Sequence, residues 1–184
     1  MSSPNHHSVT IFCSANDVDD RYIKPAEKLA KLIVQSNMNF IWGGSDTGLM
    51  KRTSDVAKDS GGWIIGISVE FLKEKAKSNA DEMVITETLS QRREELLRKG
   101  DALVVMVGGI GTLDETTEVL EHKKHHHHNK PVVFLNTDNF YEGFRMQMGR
   151  MHSDGFLDRP IDEMVFFAET PEEAISYIQA HLDQ

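Results

Sequence analysis

The sequence predicts an α/β fold built on an open, mostly parallel sheet with helices on both faces. Three observations predict it. Short β-rich apolar runs alternate with helix-patterned stretches, the first two runs and the stripe between them make a βαβ unit, and glycine turns lead from strand into helix at two places. The runs SVTIFCS (8–14) and NFIWGG (39–44) flank a helix in which Ala26, Leu29, Ala30, Ile33 and Val34 recur at i, i+3, i+4, i+7 and i+8. That spacing lays one apolar stripe against a sheet. WIIGISV (63–69), EMVIT (82–86), ALVVMV (102–107) and PVVFLN (131–136) supply four more strands. A weaker strand, MVFFA (164–168), lies between helices expected around 138–153 and 171–182. Thr170, Pro171 and Glu173 fit the start of the last helix, with proline in its first turn.

Composition sets the outer limits. A chain of 184 residues fits one domain of ordinary size, and a hydrophobic content of 39% is that of a globular protein. No run approaches the ~18 apolar residues that a membrane span needs. The opening MSSPNHHSVT shows no basic segment followed by an apolar stretch, so a soluble, cytoplasmic protein is expected. The single cysteine, Cys13, lies in an apolar run where burial is the usual fate. A net charge of −9 disfavours a broad nucleic-acid surface, because duplex binding relies on many cations against phosphate. Any anion must be held locally.

In an open parallel sheet, ligands gather beyond the carboxyl ends of the strands near the point where strand order reverses. Two turns fall there. GGSDTGLM (43–50) follows the second strand and VGGIGTLDE (107–115) the fifth. Glycine admits close backbone approach, and the free N–H groups of a new helix suit an anion. Neither turn has the G-x-G-x-x-G or G-x-x-x-x-G-K-S/T pattern, which argues against dinucleotide binding and P-loop chemistry. Thr112 and Glu115 also have the spacing of a capping box, in which case the glutamate is structural.

The helix TLSQRREELLRK (88–99) carries the strongest side-chain signal. Projected at about 100° per residue, Arg92 and Arg93 share a face with Leu89, Leu96 and Leu97. Inward guanidinium groups are costly to bury unless each meets an anion or several acceptors. Two readings follow: the pair awaits an anionic ligand, or it meets Asp and Glu of this acidic chain. In the histidine run, His122, His125 and His126 have helical spacing that a metal can exploit, but its place before Asn129, Lys130 and Pro131 reads as a solvated connection. No metal site is assigned to the His125–His128 tract.

These motifs together resemble the LOG (LONELY GUY) family, cytokinin riboside 5′-monophosphate phosphoribohydrolases long labelled lysine decarboxylases. VGGIGTLDE is similar to the family's PGGxGTxxE, GGSDTGLM to its GGGxxGLM, and QRRE to its arginine-lysine segment; HNKPVVFLN and DNFYEGF also look like the family. The likeness spans nearly the whole chain. It implies a Rossmann-like domain over 1–184 and hydrolysis of the N-glycosidic bond of AMP or an N6-substituted AMP. It implies Arg92 and Glu115 as catalytic groups. Gly43, Gly44, Gly48, Arg93, Gly108, Gly109, Gly111 and Thr112 would hold the substrate and its phosphate. It further implies a homodimer or higher homo-oligomer, with no metal or organic cofactor. Val107 stands where the motif has proline, Ser45 where it has a third glycine, and Arg93 where it has lysine. No context marks a Schiff-base lysine, which argues against the decarboxylase label. The rival reading is a noncatalytic nucleotide or molybdenum-cofactor carrier or sensor; retention of both Arg92 and Glu115 favours the enzyme.

Overall fold

In the computed structural model, which describes residues 7–182, strands and helices alternate along the chain. Residues 1–6, part of the stretch in which no export signal was read, lie outside the described residues. The strands are β1 (Ser8–Phe12), β2 (Asn39–Trp42), β3 (Ile64–Val69), β4 (Glu82–Thr86), β5 (Ala102–Val105), β6 (Val132–Leu135) and β7 (Phe166–Ala168). They form one sheet in the order β4-β3-β2-β1-β5-β6-β7. Every ladder in it is parallel. The order reverses between β1 and β5, so the crevice beyond their carboxyl ends is the expected ligand position.

The helices are α1 (Asp20–Gln35), α2 (Gly48–Asp59), α3 (Leu89–Lys99), α4 (Ile110–Lys124), α5 (Glu142–Ser153) and α6 (Pro171–Leu182). They divide between the two faces of the sheet as the strands' period of two requires. Val9, Ile11 and Cys13 of β1 and the loop after it pack with Leu29 and Ile33 of α1, Leu49 and Ala57 of α2, and Ile175 and Ile178 of α6. On the opposite face, Phe12 packs with Leu96 of α3, Val119 and Leu120 of α4 and Met148 of α5. The apolar stripe of α1 is buried at Ala26, Leu29, Ala30 and Ile33, and Val34 is half-buried against the same core. Asp19 caps this helix, its carboxylate accepting from the Arg21 N–H.

One reading of the sequence needs correction. Thr112 and Glu115 do not form a capping box, because α4 begins at Ile110 with Gly109 in the capping position and no side-chain cap. Gly109, Ile110 and Gly111 thus precede Thr112 at the helix start, and Glu115 lies beyond the first turn. The capping box occurs at α3 instead. There the Thr88 hydroxyl accepts from the Gln91 N–H at 3.2 Å, and the Gln91 side chain accepts from the Thr88 N–H. The histidine run lies, as its place in the sequence suggested, in the connection from α4 to β6, and His122, His125 and His126 share no helical face. The helix stops at Lys124 and His126 takes a left-handed φ of 58°. His122 and His127 meet ring to ring, Nδ1 to Nδ1 at 3.2 Å, while His125 contacts Glu121 at 2.9 Å and a ring nitrogen of His128 contacts the Val119 carbonyl at 3.0 Å.

Candidate active site

A cavity of about 520 Å³ opens beyond the carboxyl ends of β1, β2, β3 and β5, where the strand order reverses. Its walls come from four connections: the loop after β1 (Cys13, Ser14, Asn16), the turn after β2 (Gly43, Ser45, Thr47), the segment after β3 (Phe71, Leu72, Lys75) and the start of α4 (Gly109, Ile110, Gly111, Thr112). Arg92, Glu115, Met50, Ser68 and Leu89 also line it.

Arg92 and Glu115 occupy the buried end, with side chains 10% and 7% exposed. Arg92 lies one turn before the fully buried Leu96 on α3, so it points at the sheet. Its Nη1 donates to Glu115 Oε1 at 2.6 Å, its Nε to the Ile67 carbonyl at 2.9 Å and its Nη2 to the Gly43 carbonyl at 3.3 Å. A buried guanidinium needs such a full set of acceptors. Burial pushes the Glu115 carboxyl above the ordinary glutamate range, and the Arg92 charge beside it opposes that shift without cancelling it.

The glycine turns bring backbone to this pair. A Cβ at Gly43 would stand 2.1 Å from Arg92 Nη2, so the guanidinium reaches its carbonyl only because residue 43 has no side chain. At Gly48, φ is +55° and a Cβ would lie 2.4 Å from the backbone of Ala15, so glycine is what lets α2 start against the β1 loop. At the start of α4, no side chain caps the free N–H groups, and this end of the helix opens on the cavity.

Of the residues singled out in the sequence, Arg92, Glu115, Gly43, Gly109, Gly111 and Thr112 are gathered on the cavity. Gly44, Gly48 and Gly108 shape the turns behind it, and the Thr112 hydroxyl fills the space that a side chain at Gly108 would need. Arg93 stands apart on the outer side of α3, where it pairs with Glu118 and, at 2.8 Å, with Asp114. Its neighbours are thus acidic residues of this chain. Val107 is buried, with its carbonyl accepting from the Ser14 N–H at 3.1 Å, and the Ser45 hydroxyl lies 2.9 Å from that of Thr47. Cys13 is buried at the cavity wall, and burial pushes its thiol up to about 12, so it remains protonated.

The sequence reading did not find Ser14, Asn16, Ser68 or the segment 70–77. The first three lie at or just past the carboxyl ends of β1 and β3, and that position was the available signal. Segment 70–77 follows β3 directly and shares that position, but it carries no motif or apolar periodicity of its own. Its 3-10 helix (Glu70–Lys75) is held to the β2 turn by the Asp46 N–H to Lys75 carbonyl bond at 2.8 Å and the Lys77 N–H to Gly44 carbonyl bond at 2.9 Å. The buried ammonium of Lys77 pairs with Asp55 and, at 2.9 Å, with Asp46.

Fold and site define an α/β protein whose strand-order reversal carries a small-ligand cavity with an uncapped helix start and a buried arginine–glutamate pair. Comparisons with known proteins narrow this. The family model described as "Possible lysine decarboxylase" matches residues 50–178. A cytokinin riboside 5′-monophosphate phosphoribohydrolase of Rhodococcoides fascians is 30% identical over 184 residues, covering 98% of this chain and 93% of that protein. One of Mycobacterium marinum is 26% identical, covering 94% and 93% respectively. Among solved structures, the molybdenum cofactor binding protein from Rippkaea orientalis superposes with a TM-score of 0.77 at 22% identity, covering 98% of this chain and 99% of that one. The chain belongs to the LOG family.

Proposed function

We propose that this protein hydrolyses the N-glycosidic bond of AMP or an N6-substituted AMP, releasing free base and ribose 5-phosphate. The observation that carries this reading is the buried 2.6 Å Arg92–Glu115 pair on a cavity shared with the uncapped start of α4. A nucleotide fits the space, since cavities of roughly 300–1,000 Å³ hold small ligands and this one is about 520 Å³. The names of the Rhodococcoides and Mycobacterium relatives support the same activity.

In this reading the 5′-phosphate meets the N–H groups of Gly109, Gly111 and Thr112, with Gly43, Gly44, Gly48 and Gly108 shaping the turns that admit the ribose. Arg93 braces α3 against α4 at the site's outer edge. Cleavage passes through an oxocarbenium-like state. The C1′–N bond breaks with its electron pair going to the base, a water oxygen bonds to C1′, and the departing base takes up a proton from solvent. The Glu115 carboxylate accepts the proton that the water gives up and stabilises positive charge on the ribose. Arg92 fixes that carboxylate and balances its charge.

The test is a product assay over a panel of purine nucleoside monophosphates, including AMP and isopentenyl-AMP. Equal amounts of free base and ribose 5-phosphate are expected from the preferred substrate. Binding without base release would make the protein a carrier, and release of neither product with no binding would remove the nucleotide altogether.

A further inference from the structure

We infer that Lys75 is a ligand-binding cation that reaches the phosphate from the wall opposite the start of α4. This rests on the nucleotide reading of the cavity and deepens it. Among the described residues the other cation lining the cavity, Arg92, is already paired within the chain, as are Lys77, Lys51 and Lys73. Arg92 holds Glu115; Lys77 pairs with Asp46 and Asp55; Lys51 pairs with Asp55 at 2.9 Å and Asp46 at 3.4 Å; and Lys73 pairs with Glu70. Lys75 lines the cavity, and among the described residues its ammonium has no partner.

Its main chain is placed and its side chain is free. The Lys75 carbonyl accepts from the Asp46 N–H, and an antiparallel bridge joins Ser45 to Ala76, so the residue stays on the β2 turn. A flexible four-carbon stem is long enough to bring the charge into the opening. With Arg92 neutralised by Glu115, the uncompensated positive ends facing the cavity are the N–H groups of α4 and Lys75. A phosphate dianion between them meets backbone donors on one side and an ammonium on the other, whereas an unphosphorylated nucleoside gains nothing from the lysine.

The test compares wild type, Lys75→Gln and Lys75→Arg by calorimetric titration with AMP and with adenosine, alongside turnover of the nucleotide. Lys75→Gln is expected to weaken AMP binding roughly tenfold, the size of a charge-assisted hydrogen bond, leaving adenosine unchanged. Lys75→Arg should restore most of the loss. In turnover the same change should appear in KM, with kcat within about twofold. Equal AMP affinity in wild type and Lys75→Gln would overturn the assignment while leaving the hydrolase reading standing. Wild type that neither binds AMP nor releases base from it would overturn both. Lysine-dependent AMP binding without turnover would sustain Lys75 and overturn the hydrolase.

Discussion

Glu115 is a carboxylate in a place that disfavours its charge, and Arg92 is what keeps the charge tolerable. Removing the guanidinium by Arg92→Leu leaves a buried acid unpaired, so about 3–5 kcal/mol of stability should be lost in denaturant unfolding. The double variant Arg92→Leu/Glu115→Leu should recover most of it, because both charges are gone. An unchanged midpoint in Arg92→Leu would mean that the pair is not buried as described. The raised Glu115 carboxyl also fixes the sign of a pH effect. In the proposed reaction the carboxylate form of Glu115 is the active one and is lost as pH falls through the raised value, so the acid limb of kcat/KM should lie above the ordinary glutamate range. Weakening the opposing charge with Arg92→Gln should move that limb to still higher pH. A limb at ordinary glutamate values in wild type would remove Glu115 from the titrating step.

At the scale of elements, the strand–turn–helix junctions make the site. Gly48→Ala places a Cβ against the Ala15 backbone at a positive φ, which should destabilise the fold by more than about 1 kcal/mol and weaken nucleotide binding through the displaced β1 loop. Gly109→Ala meets nothing within 4 Å and should fold with wild-type stability, so thermal unfolding of the two variants separates a required glycine from a tolerated one. The same junctions explain what the sequence made legible. Runs such as VTIFC and ALVVMV are apolar because both faces of a parallel sheet are covered, and that pattern survives without knowledge of contacts. Helix starts were harder. Thr112 and Glu115 have capping-box spacing, but Gly109 takes the capping position and Ile110 and Gly111 start α4 ahead of them, and Thr88 with Gln91 has the same chemistry in a place where it is used. Arg92 and Arg93 are neighbours in sequence, yet 100° of rotation sends one into the sheet and leaves the other against Asp114 and Glu118. Segment 70–77 was missed because a short 3-10 helix has no apolar periodicity, and its place depends on the distant Asp46 and Asp55.

Across the whole molecule, the sheet order puts every wall of the cavity at the carboxyl ends of strands on either side of one reversal. Ile110 is 83% exposed and Phe71 68% exposed, and both line the cavity. Such apolar side chains suit a covering surface, and with the family resemblance we expect a second copy of this chain to supply it. Sedimentation should give a mass near twice that of the 20.8 kDa chain, and Ile110→Glu should shift it towards the single chain. A wild-type monomer at micromolar concentration would leave the rim for substrate alone. The central claim, that the Arg92–Glu115 pair cleaves a glycosidic bond, is tested most directly by single-turnover release of base from isopentenyl-AMP, comparing wild type with Glu115→Gln. Wild type should release one base and one ribose 5-phosphate per nucleotide. The variant should bind with similar affinity and release at least about a hundredfold more slowly. Equal rates in the two proteins, or no release by wild type with the nucleotide bound, would contradict the account.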